Sequence, residues 1–334
     1  MLALEWSPAE FGSAPMNKRW LGNLLAIALL AGLVWYLVRN WGQLAGLLRL
    51  DVAHLAVIVA ASAASNLATA WSMQLMVGAL GVRPTFQDMW VLQNAGNLLN
   101  YLPMKAGTVL RANYLKRRYG LSYASFGAYF IQRTLLMTVA ASAVGLVGVL
   151  AAFGLAGTAN KVLAVTFAVA LAGSLVTMLA PLPVPCGSGR LSTALRNFLG
   201  ARRELGGNWR ILLVCSGVLM ANYVLYAVRL GTIYHSMGVA ANPVGFLVLG
   251  TLASLLMYLS ITPGSLGVQE LVLGAGATLL GVAPGVGLLA AMIDRGIALC
   301  WTFLAGGGCA AWLWHKYPAD FKGNQAPPGP ALPD

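Results

Sequence analysis

Apolar residues in this chain run in long blocks rather than in alternation. Trp20–Val38, Val52–Val77, Ser122–Phe153, Lys161–Leu182, Ile211–Met237 and Val286–Trp314 each reach or exceed the roughly 20 residues that carry a helix across a bilayer. These blocks predict about six long spanning helices. Two further stretches are broken. Met89–Leu102 is only moderately apolar, carries Gln93, Asn94, Asn97 and Asn100, and stops at Pro103; a short segment rich in Arg and Lys follows from Gly107 to Tyr119. Pro243–Leu259 is interrupted by Ile261-Thr262-Pro263-Gly264 and resumes as Gly267–Leu280. No half of either pair spans roughly 30 Å of hydrocarbon comfortably at about 1.5 Å per residue. Each pair therefore predicts a broken, re-entrant helical hairpin, with two tilted spans joined by a tight turn as the alternative.

The broken stretches also resemble one another. NLLNYLP from Asn97 leads through a glycine-containing break to a short helix with Arg111 and a long span with Gln132-Arg133. SLLMYLS from Ser254 leads through Pro263-Gly264 to a short helix with Glu270 and a long span with Asp294-Arg295. Leu98 and Leu255 match, as do Tyr101 and Tyr258, and packing explains them best. The order of parts is that of an internal repeat.

Charge sets the expected topology. Lys18 and Arg19 precede the first block, and Pro181, Pro183 and Pro185 lead into a stretch where Arg190, Arg196, Arg202, Arg203 and Arg210 face one acid, Glu204. Basic segments stay on the cytoplasmic side. Both termini are then cytoplasmic and the two repeats have opposite orientation, the pattern of secondary transporters whose site lies between repeats near the midplane. The expected organisation is a cytoplasmic segment 1–19 (Met16 being an alternative start), a membrane half 20–182 with its broken helix at 89–119, and a basic linker 183–210. A second half follows at 211–316 with its broken helix at 243–281, then a disordered tail 317–334.

Composition excludes a soluble protein. Hydrophobic residues make up 59% of 334 positions and charged residues 9%, against about 25% charged in a soluble domain. The net charge of +12 would suggest nucleic acid in a soluble chain, but here the bases sit in breaks between apolar blocks, and no nucleic-acid partner is expected. Cys186, Cys215, Cys300 and Cys309, like His54, His235 and His315, are too scattered for a metal or redox site, so no cofactor is expected.

The ionisable residues inside apolar blocks are the functional candidates, because burying them is costly. Glu270 either meets a cationic head group or carries a proton, or it neutralises the start of its short helix. Arg133 and Arg295, at equivalent repeat positions, either converge on a phosphate, or Arg295 pairs with Glu270 as an ion bridge. Asp294 is about 100° round the helix from Arg295 and points elsewhere; with Glu270 it is a candidate for proton coupling. Lys105 and Arg111 would form the lip of a lipid site, while Lys116, Arg117 and Arg118 read as an anchor to anionic lipid. Gln93, Asn97 and Asn100 share one helix face that either lines a head-group path or binds helices together. Arg229 has no partner evident from sequence.

The pattern LLNYLP…G…R with Arg133 in the next span, and LSITPGSLGVQE with Arg295 in the next, resembles the flippase-like transmembrane domain of lysylphosphatidylglycerol synthase, from Trp20 to Trp314. Lys105-Ala106-Gly107 departs from a regular Pro-Gly element in the first repeat. Members with synthase activity carry a further soluble aminoacyltransferase domain, and only a short tail follows the last block here. The resemblance therefore implies translocation without aminoacylation: a transporter of a polar-headed or anionic lipid (a phospholipid, hopanoid or lipid-linked sugar) in the bacterial inner membrane, and not an enzyme. Membrane lipid is the expected partner, and a homo-oligomer stays open. The rival readings are a membrane-embedded enzyme acting on lipids or lipid-linked sugars, for which carboxylates and histidines are scarce, and an accessory subunit of an envelope lipid pathway.

Overall fold

The computed structural model describes residues 50–101, 106–180, 189–258 and 267–317, with the isolated positions 35, 38, 39 and 42. The first expected span, the breaks containing Pro103, Lys105 and Pro263-Gly264, and the tail after Tyr317 lie outside the described residues. Ten α-helices and one 3₁₀ turn, and no strand, occur among them. In chain order they are α1 (Val52–Gly78), α2 (Phe86–Leu99), α3 (Ala106–Tyr119), α4 (Tyr123–Ala152), α5 (Thr158–Leu179), α6 (Arg190–Gly207), α7 (Trp209–Ser236), α8 (Pro243–Tyr258), α9 (Val268–Gly276), the 3₁₀ turn Ala277–Leu280, and α10 (Pro284–Lys316).

The helices start where side chains satisfy the first free N–H groups. Asp51 accepts the His54 N–H at 2.8 Å ahead of α1, Thr85 that of Asp88 at 3.1 Å ahead of α2, and Ser122 that of Ser125 at 3.0 Å ahead of α4. Pro284 opens α10, where a missing N–H does no harm. Five helices (α1, α4, α5, α7 and α10) are long and apolar enough to cross a membrane. Large apolar side chains point outward from them, Leu179 being 75% and Leu304 79% exposed, as befits a surface facing lipid. The chain is an all-α, multi-pass membrane protein, as its apolar blocks predict.

The broken stretches are pairs of short helices, α2 with α3 and α8 with α9. Each α2–α3 member has 14 residues, or about 21 Å at 1.5 Å per residue. The basic segment read as a linker holds an amphipathic helix, α6, which buries Leu199 and Leu205 and packs on α4. Arg202 donates to the Thr177 carbonyl at the end of α5. Its apolar positions are too few and too interspersed with Arg to register as an apolar block, which is why the sequence pattern conceals it.

Two features organise the bundle. First, α1 and α7 pack antiparallel along most of their length: Ser62 meets Arg229, Thr69 meets Asn222 and Ser72 meets Cys215, one number rising as the other falls. Second, the packing is reciprocal. The short α2 packs on α10, and the short α8 packs on α4. Each contact uses a glycine notch, since a Cβ on Gly306 would lie 2.8 Å from the Asn94 carbonyl oxygen and one on Gly148 would lie 2.8 Å from Val248 Cγ2.

Two apolar clusters flank the middle of the bundle. One gathers Met73, Met76, Leu92, Leu136 and Leu219; the other gathers Ile58, Leu230, Phe246, Leu273 and Leu289. Both α1 and α7 pass through both clusters, in opposite directions.

Gly306→Ala forces backbone or Leu98 to move and is expected to destabilise by about 1–3 kcal/mol. Gly308→Ala, whose Cβ meets nothing within 4 Å, is expected to leave stability unchanged or slightly raised. Thermal unfolding of both variants in detergent, followed by size-exclusion fluorescence, checks the difference.

Candidate functional site

Between the two apolar clusters lies a cavity of about 270 Å³. Ser65 and Thr69 of α1, Asn222, Tyr226 and Arg229 of α7, Ser254 of α8, Gln269 of α9, and Asp294 and Arg295 of α10 line it. Ser65 is the fourteenth of 27 residues in α1 and Asn222 the fourteenth of 28 in α7, so the polar lining sits at the midpoint of both helices. Polar backbone and side chains are tolerated at that depth where they face protein or a wet cavity.

Two ion pairs anchor the lining: one lies wholly within it, and the other reaches back from Arg295 to Glu270, which does not line the cavity. Arg229 Nε lies 2.5 Å from Asp294 Oδ1, and Arg229 Nη2 donates to Oδ2 at 3.1 Å. Arg229 also donates to Ser62 Oγ at 3.3 Å and lies over the Tyr226 ring, 4.8 Å from its centroid. Arg295 Nε lies 3.4 Å from Glu270 Oε1. The other Glu270 oxygen accepts the Gly267 N–H at 2.8 Å. Gly267 has φ +84°, a left-handed conformation that glycine adopts without penalty, and with Glu270 it caps α9. Gln269 joins the pairs: it donates to the Tyr226 hydroxyl at 2.9 Å and accepts from Arg295 at 3.3 Å. All four charged side chains are at least four-fifths buried. In so apolar a setting each charge needs its partner.

These contacts show which partners the candidate residues find. Glu270 both caps its helix and faces Arg295, so the ion-bridge alternative is the one formed. Asp294 points away from Arg295, as their 100° separation requires, and finds Arg229. That partner was invisible in sequence because 65 residues separate the two. Gln269 and Tyr226 also escaped notice, since isolated polar residues in apolar helices do not distinguish a cavity from ordinary helix contacts.

Arg111 and Arg133 lie apart from this network. Arg111 Nη2 donates to the Gln93 carbonyl at 3.1 Å and to Asn97 Oδ1 at 2.8 Å. Its side chain crosses Gly96, where a Cβ would come within 2.9 Å of the guanidinium carbon. Arg133 donates to the Tyr129 hydroxyl at 2.9 Å. Of the polar face on α2, the Asn97 side chain thus holds Arg111 and accepts from Gln93 Nε2, and Asn94 accepts from Trp301 Nε1 at 3.3 Å to bind α10. Lys116, Arg117 and Arg118 are exposed at the end of α3, where Arg118 and Tyr119 reach back to Asp88 at the start of α2. Lys105 lies outside the described residues.

A larger apolar cavity, about 640 Å³, lies along α7 and α8 and is lined by Val224, Ala227, Val228 and Gly231. At 100° per residue these positions fall on the side of α7 opposite Asn222, Tyr226 and Arg229. It contains no ion pair, and the chemistry belongs to the smaller, polar cavity. No group of three or more metal-ligating side chains occurs among the described residues.

Removing one member of a buried pair strands the other. Asp294→Asn is expected to lower stability by about 3–5 kcal/mol, and Arg229→Gln added to it to recover most of the loss. A double-mutant cycle on unfolding in detergent measures the coupling.

Comparison with known proteins agrees with this architecture. No curated protein matches the chain, and no solved structure does. The family model described as the lysylphosphatidylglycerol synthase TM region matches residues 23–307, a span that takes in both broken stretches, both ion pairs and both isolated arginines. The chain belongs to the family of the lysylphosphatidylglycerol synthase TM region.

Proposed function

We propose that this protein moves a polar-headed lipid between the leaflets of the bacterial inner membrane, its head group passing through the midplane cavity while its tails remain in the bilayer. The observation that carries this reading is the placement of a polar, ion-paired cavity at the midpoints of α1 and α7. An amphiphile crossing a bilayer must bring its head group past the apolar midplane, and only there does a polar lining lower the barrier.

The packing supports an inverted repeat built from α1–α4 and α7–α10. The equivalent helices α1 and α7 run antiparallel, and each half lays its first short helix on the long helix of the other. Arg133 and Arg295, at equivalent repeat positions, are the eleventh and twelfth residues of their long helices, counted from Tyr123 and Pro284. Re-entrant pairs meeting between inverted halves are the usual setting of a transporter's site. With the basic α6 on the cytoplasmic side, both termini are cytoplasmic. Transport rather than catalysis is favoured because both carboxylates at the cavity are engaged with arginines, leaving no free acid–base pair. A lipid of the membrane is the partner, and proton coupling through Glu270 or Asp294 would require its ion pair with Arg295 or Arg229 to open.

The test uses purified protein in vesicles carrying head-group-labelled phospholipids, hopanoids or lipid-linked sugars, with leaflet exchange followed over time. Glu270→Gln keeps an oxygen to cap Gly267 and removes the charge. It is expected to slow exchange of the one class that moves by about tenfold or more, equivalent to about 1.4 kcal/mol on the barrier. Glu270→Gln with Arg295→Gln is expected to restore stability but not exchange. If no class moves faster than in protein-free vesicles, the transporter reading fails; turnover of a lipid would favour an enzyme.

A further inference from the structure

The polar groups of the midplane cavity keep hydrogen-bonding capacity that their bonds to the described residues do not use. Asn222 donates through Nδ2 to Thr69 Oγ1 at 3.0 Å, which leaves the Thr69 O–H to donate. The buried Oδ1 of Asn222 has no hydrogen-bond partner among the described residues, a costly state for an acceptor away from water. The Tyr226 hydroxyl accepts from Gln269 and keeps its own proton for donation. Ser254 is the reverse: its O–H donates to the Gly250 carbonyl at 2.8 Å, and its oxygen can still accept. Asn222 and Tyr226 lie one turn apart on the same face of α7, as Ser65 and Thr69 do on α1, and all five residues line the one cavity. Charge, by contrast, is fully engaged, since Arg229 pairs with Asp294 and Arg295 with Glu270.

We propose that this cavity receives an uncharged, hydroxyl-rich head group, a single sugar or a glycerol unit, through Thr69, Asn222, Tyr226 and Ser254. This names the head group for the lipid-transport reading and rests on that reading only for the sugar being carried by a lipid. Unused donors and unused acceptors share one cavity, and a hydroxyl is the group that serves both at once. A phosphodiester only accepts, so it finds no partner in Asn222 Oδ1 or Ser254 Oγ. An ammonium only donates, so it leaves Thr69 and Tyr226 unmet. Neither ion gains a counter-charge unless it draws an arginine or a carboxylate out of its pair, and that strands the other member. An uncharged polyol leaves both pairs closed. Size agrees: about 270 Å³ is roughly nine times a water's share of liquid volume, room for one sugar ring and not for a chain of them.

Thr69 and Asn222 make the cleanest probe. They bond to each other, so replacing one strands the other, whereas Thr69→Val with Asn222→Leu removes both and leaves no orphan. The ion pairs that hold α7, α9 and α10 stay untouched. Ser65→Val narrows the cavity from the α1 side and serves as the second probe.

The experiment is lipid binding to the full chain in detergent, read by native mass spectrometry. Glucosyl-diacylglycerol and phosphatidylglycerol with identical tails serve as probes, and free glucose as competitor. The glucosyl lipid is expected to be retained over phosphatidylglycerol, and Thr69→Val with Asn222→Leu to weaken its retention by about tenfold. Ser65→Val is expected to weaken it as well, and both variants to unfold near the wild-type temperature. Displacement by free glucose would mean that the sugar is recognised whatever carries it. Loss of the glucosyl lipid in the variants without such displacement would mean that the lipid is required. Retention of phosphatidylglycerol equal to or above that of the glucosyl lipid overturns the proposal, as does equal retention of the glucosyl lipid by wild type and the folded variants. Vesicle exchange separates the two readings. Glucosyl lipid held through Thr69 and Asn222 but never moved refutes transport and leaves the site. Movement of phosphatidylglycerol alone, indifferent to Thr69 and Asn222, refutes the site and leaves transport.

Discussion

Ionised side chains inside an apolar bundle must find one another, and this requirement governs how the second half is built. Arg229 and Asp294 come from helices 65 residues apart in sequence and meet side-on; Arg295 and Glu270 meet across α9 and α10. If either pair opened, an unpaired charge would be left in a medium that solvates it poorly. The pairs therefore tie α7, α9 and α10 to one another more selectively than apolar contacts can, because leucine packs nearly as well against lipid as against protein. The cavity forms where these pairs hold three helices together without filling the space between them.

The same accounting applies to the backbone. The ends of a helix expose N–H and C=O groups that need partners. Glu270 supplies one for α9 through Gly267, so a single carboxylate serves a charge and a helix end. Helices that carry such ends must also approach their neighbours closely. Gly306 and Gly148 allow this by admitting α2 and α8 against the long helices of the opposite halves, the small-residue route to packing where no hydrophobic force acts between helices.

How much of this could be read from sequence follows from the range of each interaction. Spans are local, and an apolar block about 20 residues long declares itself without reference to the rest of the chain. Broken helices are local too, marked by Pro103 and Pro263-Gly264, and so is the capping partnership of Gly267 and Glu270 three residues apart. Helix α6 is local but ambiguous, because its arginines read as a topogenic loop before they read as the polar face of a helix. Pairings across the bundle are another matter. Nothing near Arg229 announces Asp294, and nothing near Asn94 announces Trp301. Helix periodicity excluded a common target for Asp294 and Arg295, but it could not say which helix stood opposite each. The matching Tyr101 and Tyr258 show the limit of repeat reasoning: Tyr101 stacks near Arg295, 5.6 Å from ring centroid to guanidinium, a contact between halves that alignment of one half on the other cannot reveal.

That contact bears on how unlike the halves are. In the second half two arginines and two carboxylates cancel, while in the first Arg111 and Arg133 have no acid. The cavity is lined by hydroxyls, amides and paired ions, and so carries little net charge. The likeness in order between the two broken stretches therefore does not extend to their chemistry: charge is neutralised inside the second half by partners that the first half does not supply to Arg111 and Arg133 among the described residues.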